Sequence, residues 1–475
     1  MGKKQIKTWG FGLAGVVLFL GMLLLPPPTS LEVAAAAQGG NGNAAMAALG
    51  VLLWGICWWI GGVMPDWCTA LGMQCLWVLC GGLDFTTVFA GYSGSTIWLI
   101  IGAFTLGNAI TKTGLLTRIS LGLMQLFPAT FRGQVAAMLT VGVVCAPLLP
   151  SSTAKVVLGT RLAGNSASLM GFDSHTPGRD GLFLSAWTGF FLAGPMFLSA
   201  SFLAYSVLSV LPSEYARVSW IQWFAAMLPW GIMMLLGMLL TIFLGYRPEK
   251  QGSFSQEEIR RQRLALGTIS RQEGMTLVIL IVCLSLWILE NATGFNAGVV
   301  AVLGAICCYG LGILEKKEIA SATPWGFILF MGVTLNMGRI FSVTGLSGWL
   351  LTWIQPFFTG TSGPEMVICL VTVISLALRF IIASQTAVLP LLTGILVPVA
   401  LATGMNPLII GLVVYTATSC WMVPYQNPSY VAALESVGGT VSHSHMAKSA
   451  VLYSLISLAA TLASIPYWTW LGYIH

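Results

Sequence analysis

Charged residues are scarce in this sequence. Only 8% of its 475 residues are Asp, Glu, Lys or Arg, whereas 56% are hydrophobic. A typical soluble domain is roughly 25% charged, so this chain could not cover a water-soluble globule with polar surface. The net charge of +6 does not come from one basic patch, because the lysines and arginines lie between apolar segments. The composition therefore argues against a nucleic-acid-binding protein and predicts a chain that crosses a membrane many times.

Sequence motifs for catalysis, metal binding and disulfide formation are also lacking. None of the ten cysteines belongs to a C-x-x-C pair, and neither H-E-x-x-H nor G-x-S-x-G occurs. No predicted span carries a pair of acidic residues. His443 and His445 could bind a metal ion, but a solvated loop explains both histidines without one. We therefore expect a protein that is not an enzyme and has no cofactor.

Apolar segments about 20 residues long, the length that crosses a bilayer, recur along the chain. The predicted spans are residues 9–25, 46–64, 67–83, 96–113, 183–211, 222–246, 274–291, 296–314, 325–342, 406–435 and 446–472. The first span follows several lysines, as the apolar part of a removable signal peptide would. We favour a transmembrane helix that is kept, because a protein with many spans needs no leader.

Two further apolar stretches, residues 132–166 and 364–403, are interrupted near their middle by polar residues. The interruptions are Ser151-Ser152-Thr153 and Ser384-Gln385-Thr386. Backbone that is not helical is tolerated within a membrane only where it is buried in protein or lines a cavity. Each stretch is therefore predicted to be a re-entrant helical hairpin, which enters the membrane and returns on the same side.

The two halves of the chain share a series of landmarks. Gly102 precedes Thr113-Gly114-Leu115 by 11 residues, and Gly332 precedes Thr344-Gly345-Leu346 by 12. The threonine of each hairpin tip lies 40 and 42 residues beyond these landmarks. Prolines then break a helix in both halves, at Gly194-Pro195 in the first and at Pro424 and Pro428 in the second.

Each half holds five predicted spans and one hairpin, which is an odd number of crossings. The second half must then have the opposite orientation, as in the inverted repeats of secondary transporters. The predicted fold is an all-α polytopic membrane protein with an inverted repeat of two five-helix halves, each with a re-entrant hairpin, plus an extra N-terminal helix. The predicted divisions are an N-terminal helix and outer loop at residues 1–45, a first repeat at 46–246, a cytoplasmic linker at 247–273 and a second repeat at 274–475.

Lysines and arginines predict the orientation of the chain. With the N-terminus in the cytoplasm, the basic residues of the connecting segments fall on the cytoplasmic side, except Arg217, Arg339 and Arg379. Such an asymmetry is typical of membrane proteins, whose cytoplasmic loops carry an excess of positive charge. The prediction is a multi-pass protein of a bacterial inner membrane, with its C-terminus outside.

A hairpin tip inside the membrane suits an anion. A helix break frees N–H groups at the start of the returning helix, where about half a positive charge contributes roughly 0.3–2 kcal/mol towards an anion. The tip hydroxyls and the amide of Gln385 add hydrogen-bond donors. Lys155 lies two residues after the first tip, and a charged lysine at the bilayer centre costs about 2.5–3.5 kcal/mol without a partner. Its partner could be a bound anion, a distant acidic residue or the cytoplasmic surface, and Arg379 makes a weaker case of the same kind.

Four segments carry a resemblance to a known family. They are IWLIIGAF at residues 97–104, Thr113-Gly114-Leu115, PSSTAK at residues 150–155 and ASQTA at residues 383–387. From about residue 46 to the end, the sequence resembles the divalent anion:sodium symporter family, which includes carriers of succinate, citrate, 2-oxoglutarate, malate and sulfate. The resemblance implies a homodimer in membrane lipid and an elevator-like movement of a transport domain against a scaffold.

The resemblance also implies that both tips hold the substrate carboxylates and, with nearby backbone, two sodium ions. The expected substrate-binding residues are Ser151, Ser152, Thr153, Lys155, Ser384, Gln385, Thr386, Pro424 and Asn427. The expected residues around a coupling cation are Ser151, Ser152, Gly194, Ala383, Gln385 and Ser419. Ser152 and Gln385 stand where the family carries asparagine, and a tethered Lys155 ammonium could replace one sodium ion. That replacement predicts exchange of anions rather than sodium-coupled symport.

The predicted function is secondary active transport of di- or tricarboxylate-type anions across the inner membrane by elevator-like alternating access. The carrier would work as an anion exchanger or as a sodium-coupled symporter. One alternative is a carrier of an inorganic divalent anion such as sulfate. An anion channel is an alternative of another class, although a channel would not need two matching hairpins of opposite orientation.

Overall fold

The computed structural model describes residues 3–212, 214–248, 253, 255–350, 352, 363–382 and 384–474. These residues form helices and no β-sheet, because a helix satisfies its backbone hydrogen bonds within one segment, as the bilayer core requires. Within the described ranges, nine helices are long and apolar enough to cross a membrane, or up to ten if one bent pair counts as a span. The predicted class of all-α polytopic membrane protein is confirmed.

The bent pair lies at the N-terminus. Helix α1 (Lys3–Leu24) ends before the prolines at residues 26–28, and α2 (Thr29–Ala36) follows at an angle of 76°. Proline lacks a backbone N–H, so the run of prolines ends the first helix. Helix α1 packs along α3 (Gly42–Gly61), where Trp58 Nε1 donates a hydrogen bond to the Gly12 carbonyl at 3.1 Å. A short helix thus occupies part of the segment that the sequence had indicated as an outer loop.

The first half contains one hairpin and one broken helix. Its remaining helices are α4 (Asp66–Leu79), α5 (Phe85–Phe89), α6 (Ser95–Thr113), α7 (Leu115–Met124), α8 (Phe131–Cys145), α9 (Ser152–Leu169), α10 (Pro177–Trp187), α11 (Phe202–Ser209) and α12 (Trp220–Gly245). Helices α8 and α9 pack on each other and form the hairpin. Helices α10 and α11 are separated by a π-helical turn, Thr188–Leu192, and two short 3-10 turns around Pro195. The broken helix therefore lies where the prolines predicted it.

The second half repeats this order of elements. Its helices are α14 (Arg271–Ile288), α15 (Glu290–Thr293), α16 (Ala297–Gly310), α17 (Ile319–Ala322), α18 (Trp325–Val343), α19 (Pro364–Ile381), α20 (Gln385–Ala402), α21 (Pro407–Thr418), α22 (Pro428–Ser436), α23 (His443–Ala463) and α24 (Ile465–Trp470). Helices α19 and α20 form its hairpin, and a short turn, Pro424–Gln426, separates α21 from α22. The breaks in the two halves thus fall at corresponding places.

The segment between the halves is folded against the first half. It contains helix α13 (Gln256–Ala265), which packs on α7 and buries Ile259. Gln256 Nε2 donates to the Phe127 carbonyl at 2.9 Å, and an Arg263 nitrogen donates to Gln125 Oε1 at 2.8 Å. The connection is therefore more closely packed than the solvated linker that its charge had indicated.

Helix contacts recur when the two halves are exchanged. Helix α6 packs on α16 as α4 packs on α18, and α3 packs on α4 as α14 packs on α16. Helix α10 packs on both arms of the first hairpin as α21 packs on both arms of the second, while α12 and α23 pack on each other. The contact pattern therefore has the two-fold character of the predicted repeat. The repeat boundaries at residues 46, 246, 274 and 475 stay predictions.

The first hairpin lies backbone to backbone against the broken helix of its own half. Gly142 on α8 faces Gly189 in the π-helical turn, and a Cβ built at Gly142 would overlap the Gly189 carbonyl carbon. A Cβ at Gly189 would in turn lie 2.6 Å from the Met138 carbonyl oxygen. The two backbones can come this close only because both positions are glycine. The contact brings the hairpin tip next to the helix break.

Replacing Gly142 by alanine tests this contact. Gly142→Ala should lower the melting temperature of the purified protein, because overpacking a tight contact costs roughly 1–3 kcal/mol. Gly122→Ala on α7 is the matched control, since a Cβ there meets nothing within 4 Å and alanine stabilises a helix by roughly 0.5–1 kcal/mol relative to glycine. Equal melting temperatures for the two variants would contradict the backbone contact.

Candidate functional site

The two hairpin tips have the same local structure. Ser151 lies in extended backbone before α9, and its Oγ accepts a hydrogen bond from the Ala154 N–H at 3.4 Å. Ser384 lies in extended backbone before α20, and its Oγ accepts from the Ala387 N–H at 3.3 Å. Serine is favoured at this position because its side chain satisfies one N–H that the first helical turn leaves open. Each tip therefore presents the start of a helix together with its hydroxyl groups.

Both tips line one cavity of about 400 Å³. The broken helices of both halves and the start of α4 complete its wall. The lining residues are Asp66, Ser151, Ser152, Thr153, Phe191, Phe202, Leu203, Ser384, Gln385, Thr386, Tyr425, Asn427, Pro428 and Ser429. Two stretches that lie more than 200 residues apart in sequence thus meet across a small, partly polar space.

The buried Asn427, on the cavity wall, carries a hydrogen-bond donor without a partner among the residues that the structure describes. Its side chain is buried, and its Oδ1 accepts from the Tyr430 N–H at 3.2 Å. Within the residues described, its Nδ2 has no hydrogen-bond partner. A buried polar group without a partner costs free energy, so an amide N–H at a cavity wall is a group that a bound anion would satisfy. On the same wall, the hydroxyls of Thr153 and Ser429 lie 2.8 Å apart.

Lys155 lies behind the first tip and does not line the cavity. Its side chain is fully buried, and its Nζ contacts three backbone carbonyls. They belong to Ala146 at 3.4 Å, Leu149 at 3.4 Å and Ala200 at 2.6 Å. An ammonium group has three N–H donors and no acceptor, so three carbonyls match it. The first two carbonyls come from the hairpin and the third from the broken helix.

Arg379 occupies the corresponding place behind the second tip. Its guanidinium group is fully buried and donates to the Ile382 carbonyl at 3.0 Å and to the Thr418 carbonyl at 3.2 Å. It also donates to the carbonyl of Gln426. These carbonyls again belong to a hairpin tip and to the ends of a broken helix. Both halves therefore hold a buried cation among carbonyls next to the cavity.

Three of the other residues predicted around a coupling cation, Gly194, Gln385 and Ser419, lie near these two cations. Gly194 faces Lys155, whose Nζ would lie 3.9 Å from a Cβ at that position. Gln385 Nε2 donates to Ser419 Oγ at 3.2 Å and to Thr418 Oγ1 at 3.3 Å. Pro424 begins the turn before Asn427 and is not among the lining residues. Ala383 lies outside the described residues, and the binding roles of all these residues stay predictions.

Asp66 is the one charged residue among the described residues of the cavity wall, and it was not among the predicted site residues. It begins α4 and lines the cavity, where its Oδ2 accepts from Ser384 Oγ at 2.7 Å and lies 3.4 Å from Thr386 Oγ1. Asp66 lies between two predicted spans, where an acidic residue is ordinarily part of a solvated loop. The one available signal was an acidic residue between two apolar spans in a chain with only 15 acidic residues.

Comparison with known proteins places this architecture in a family. A family model described as the sodium:sulfate symporter transmembrane region matches residues 6–474. The chain belongs to this family. The resemblance to divalent anion:sodium symporters is thereby confirmed, and the chain is a multi-pass membrane protein of the sodium:sulfate symporter family.

Curated relatives include named transporters of carboxylates. The chain is 23% identical over 492 residues to a sodium-dependent dicarboxylate transporter, SdcS, of Staphylococcus saprophyticus. The alignment covers 96% of this chain and 91% of the relative. It is 25% identical over 334 residues to a citrate/succinate antiporter of Escherichia coli K12, which covers 66% of this chain and 65% of the relative. This chain thus resembles both a bacterial transporter named as sodium-dependent and one named as an antiporter.

A solved transporter structure shares the fold. The YdaH transporter of Alcanivorax borkumensis, whose structure is described as having an unusual topology, aligns with a TM-score of 0.58 over 82% of this chain and 88% of its own. The two sequences are only 16% identical, so the likeness concerns the fold alone.

Removing the Lys155 ammonium tests whether it satisfies the three carbonyls. Lys155→Met should lower the melting temperature, because each buried carbonyl left without a donor costs roughly 1–3 kcal/mol. Lys448→Met is the matched control, since Lys448 is exposed on α23. A loss of stability in both variants, or in neither, would argue against the carbonyl cage.

Proposed function

We propose that this protein is a secondary carrier of di- or tricarboxylate anions that works by elevator-like alternating access. The observation that carries the proposal is the meeting of the two hairpin tips in one cavity of about 400 Å³. Two helix starts with partial positive charge, the tip hydroxyls and the Asn427 amide N–H surround that cavity. The names of the relatives, a dicarboxylate transporter and a citrate/succinate antiporter, support the same substrate class.

The arrangement suits an anion with a carboxylate at each end. One carboxylate would accept from Thr153 and Asn427 at the first tip, and the other from Ser384 and Thr386 at the second tip. The aromatic and apolar residues Phe191, Phe202 and Leu203 would contact the carbon chain between them. Hydrogen bonds to charged groups are stronger than those between neutral groups, so several donors can replace the water that the anion loses.

Exchange of anions is the proposed mode of coupling. Lys155 and Arg379 place covalently held cations among backbone carbonyls at both helix breaks. Carbonyl oxygens are also the groups that coordinate sodium, so the two side chains occupy the kind of position that a mobile cation would need. A cation that is part of the protein cannot be released on the other side of the membrane, so transport cannot be driven by a sodium gradient through it. The carrier would then cross the membrane only with an anion bound.

Sulfate is the second candidate substrate, because the matching family is described as sodium:sulfate symporters. A sulfate ion would contact the donors of one tip at a time, whereas a dicarboxylate can contact both.

We also propose a homodimer in the bacterial inner membrane. The distribution of lysine and arginine supports a cytoplasmic N-terminus and an outer C-terminus.

Transport in proteoliposomes tests the function. Vesicles that contain unlabelled succinate should take up labelled succinate, because each outward movement of the carrier can return with an anion. Vesicles without internal anion should take up little, even with sodium outside, and protein-free vesicles give the background. Accumulation driven by sodium alone would contradict exchange, and counterflow supported only by internal sulfate would contradict the carboxylate assignment.

Replacing Asn427 tests the donor at the cavity wall. Asn427→Ala should raise the dissociation constant for succinate roughly tenfold or more, because a hydrogen bond to a charged group contributes roughly 1.5–3 kcal/mol. Isothermal titration calorimetry of the purified protein would measure this change. Asn165→Ala, on the exposed side of α9, should bind succinate as the unmodified protein does. Equal affinity for both variants would exclude Asn427 from the site.

A further inference from the structure

A carboxylate of the protein itself occupies the second tip. Asp66 Oδ2 accepts a hydrogen bond from Ser384 Oγ at 2.7 Å, and Thr386 Oγ1 lies 3.4 Å away. The two hydroxyl oxygens are 2.7 Å from each other. Ser384 Oγ also accepts from the Ala387 N–H at the start of α20. The Asp66 carboxylate therefore lies where the hydroxyls and a helix N-terminus together favour negative charge.

The same groups cannot serve Asp66 and a bound anion at once. Each hydroxyl of Ser384 and Thr386 has a single O–H to donate. In the described ranges, Asp66 makes no ion pair, so no neighbouring cation there neutralises it against a second carboxylate. A carboxylate that enters this end of the cavity must therefore displace Asp66. Within the described part of the chain, neither the first tip nor Asn427 forms a hydrogen bond with the Asp66 side chain, so both can bind the other end of an anion.

Asp66 and the second tip come from different helices, which share one apolar core through α18. Asp66 begins α4, which packs on α3 and α18. Ser384 and Thr386 lie at the tip of the second hairpin, whose arms pack on α21. The hydrogen bond thus links the tip of the hairpin to the start of α4, in addition to the direct packing of α20 on α18.

We propose that Asp66 is an internal substitute for the substrate carboxylate, which latches the empty carrier and is displaced when an anion binds. The proposal rests on the carboxylate transport proposed above. An incoming anion first contacts the first tip, and its second carboxylate then takes Ser384 and Thr386 from Asp66. Displacement releases the hairpin from α4, so the latch couples movement of the hairpin to occupancy of the site.

Calorimetric titration of the full-length protein with succinate tests the latch. A ligand that must displace an internal competitor binds with a higher apparent dissociation constant. The apparent value equals the intrinsic dissociation constant divided by the fraction of molecules in which the site is free. If Asp66 engages the tip in roughly nine of ten empty molecules, Asp66→Ala should lower the dissociation constant roughly tenfold. Asp66→Asn keeps the shape of the side chain but removes its charge, and it should also bind succinate more tightly. Asp173→Ala, which removes an exposed acid after α9, should have no effect.

The outcomes separate the latch from the proposed function. Tighter succinate binding by the Asp66 variants supports the latch. Measurable binding by the variants but not by the unmodified protein supports it too. If Asp66→Ala does not fold, the affinity of Asp66→Asn decides between the two outcomes. Faster release of labelled succinate from vesicles into anion-free buffer by a variant would also support it. Succinate binding by the unmodified protein with equal or weaker binding by both variants overturns the latch alone. Absence of succinate binding in every form counts against carboxylate transport and overturns the latch with it.

Discussion

Backbone carbonyls that the helix breaks release inside the membrane constrain this structure. A carbonyl without a partner is costly where water is absent, and both hairpins and both broken helices produce such groups beside one cavity. The protein satisfies them with two buried cations, Lys155 and Arg379, each of which contacts carbonyls of a hairpin and of the broken helix beside it. Each cation therefore joins a hairpin to its neighbour, and a movement of one would carry the other.

The two halves meet this constraint with different residues from different positions. Lys155 follows the first tip on the returning arm, whereas Arg379 precedes the second tip on the entering arm. Lys155 and Arg379 thus occupy equivalent positions in space, but they do not occupy equivalent positions in the sequences of the two halves. The landmarks that the two halves share therefore match at the tips but not at the two charged residues.

The hairpins were predictable because their signal is local. The predicted stretch 132–166 corresponds to Phe131–Cys145 and Ser152–Leu169, and 364–403 corresponds to Pro364–Ile381 and Gln385–Ala402. Polar residues within an apolar run mark such a break whatever surrounds it. The packing of α13 on α7, the carbonyl partners of Lys155 and the place of Asp66 depend on contacts between distant segments. No spacing in the sequence encodes those contacts. The two hairpin tips could therefore be predicted, whereas the contacts of Lys155 and Asp66 with them could not.

Charge balance links the cations to the proposed mode of transport. Lys155 and Arg379 both lie on hairpin arms, so a unit that contains the two hairpins carries two fixed positive charges with it. A bound dianion would neutralise that unit, whereas Asp66 on α4 would stay behind when the unit moves. Charge inside a bilayer costs several kcal/mol per group unless it is balanced, so under the proposed movement a loaded unit would cross at a lower cost than an empty one. Two fixed cations balanced by a divalent anion would in this way favour exchange of anions without movement of sodium.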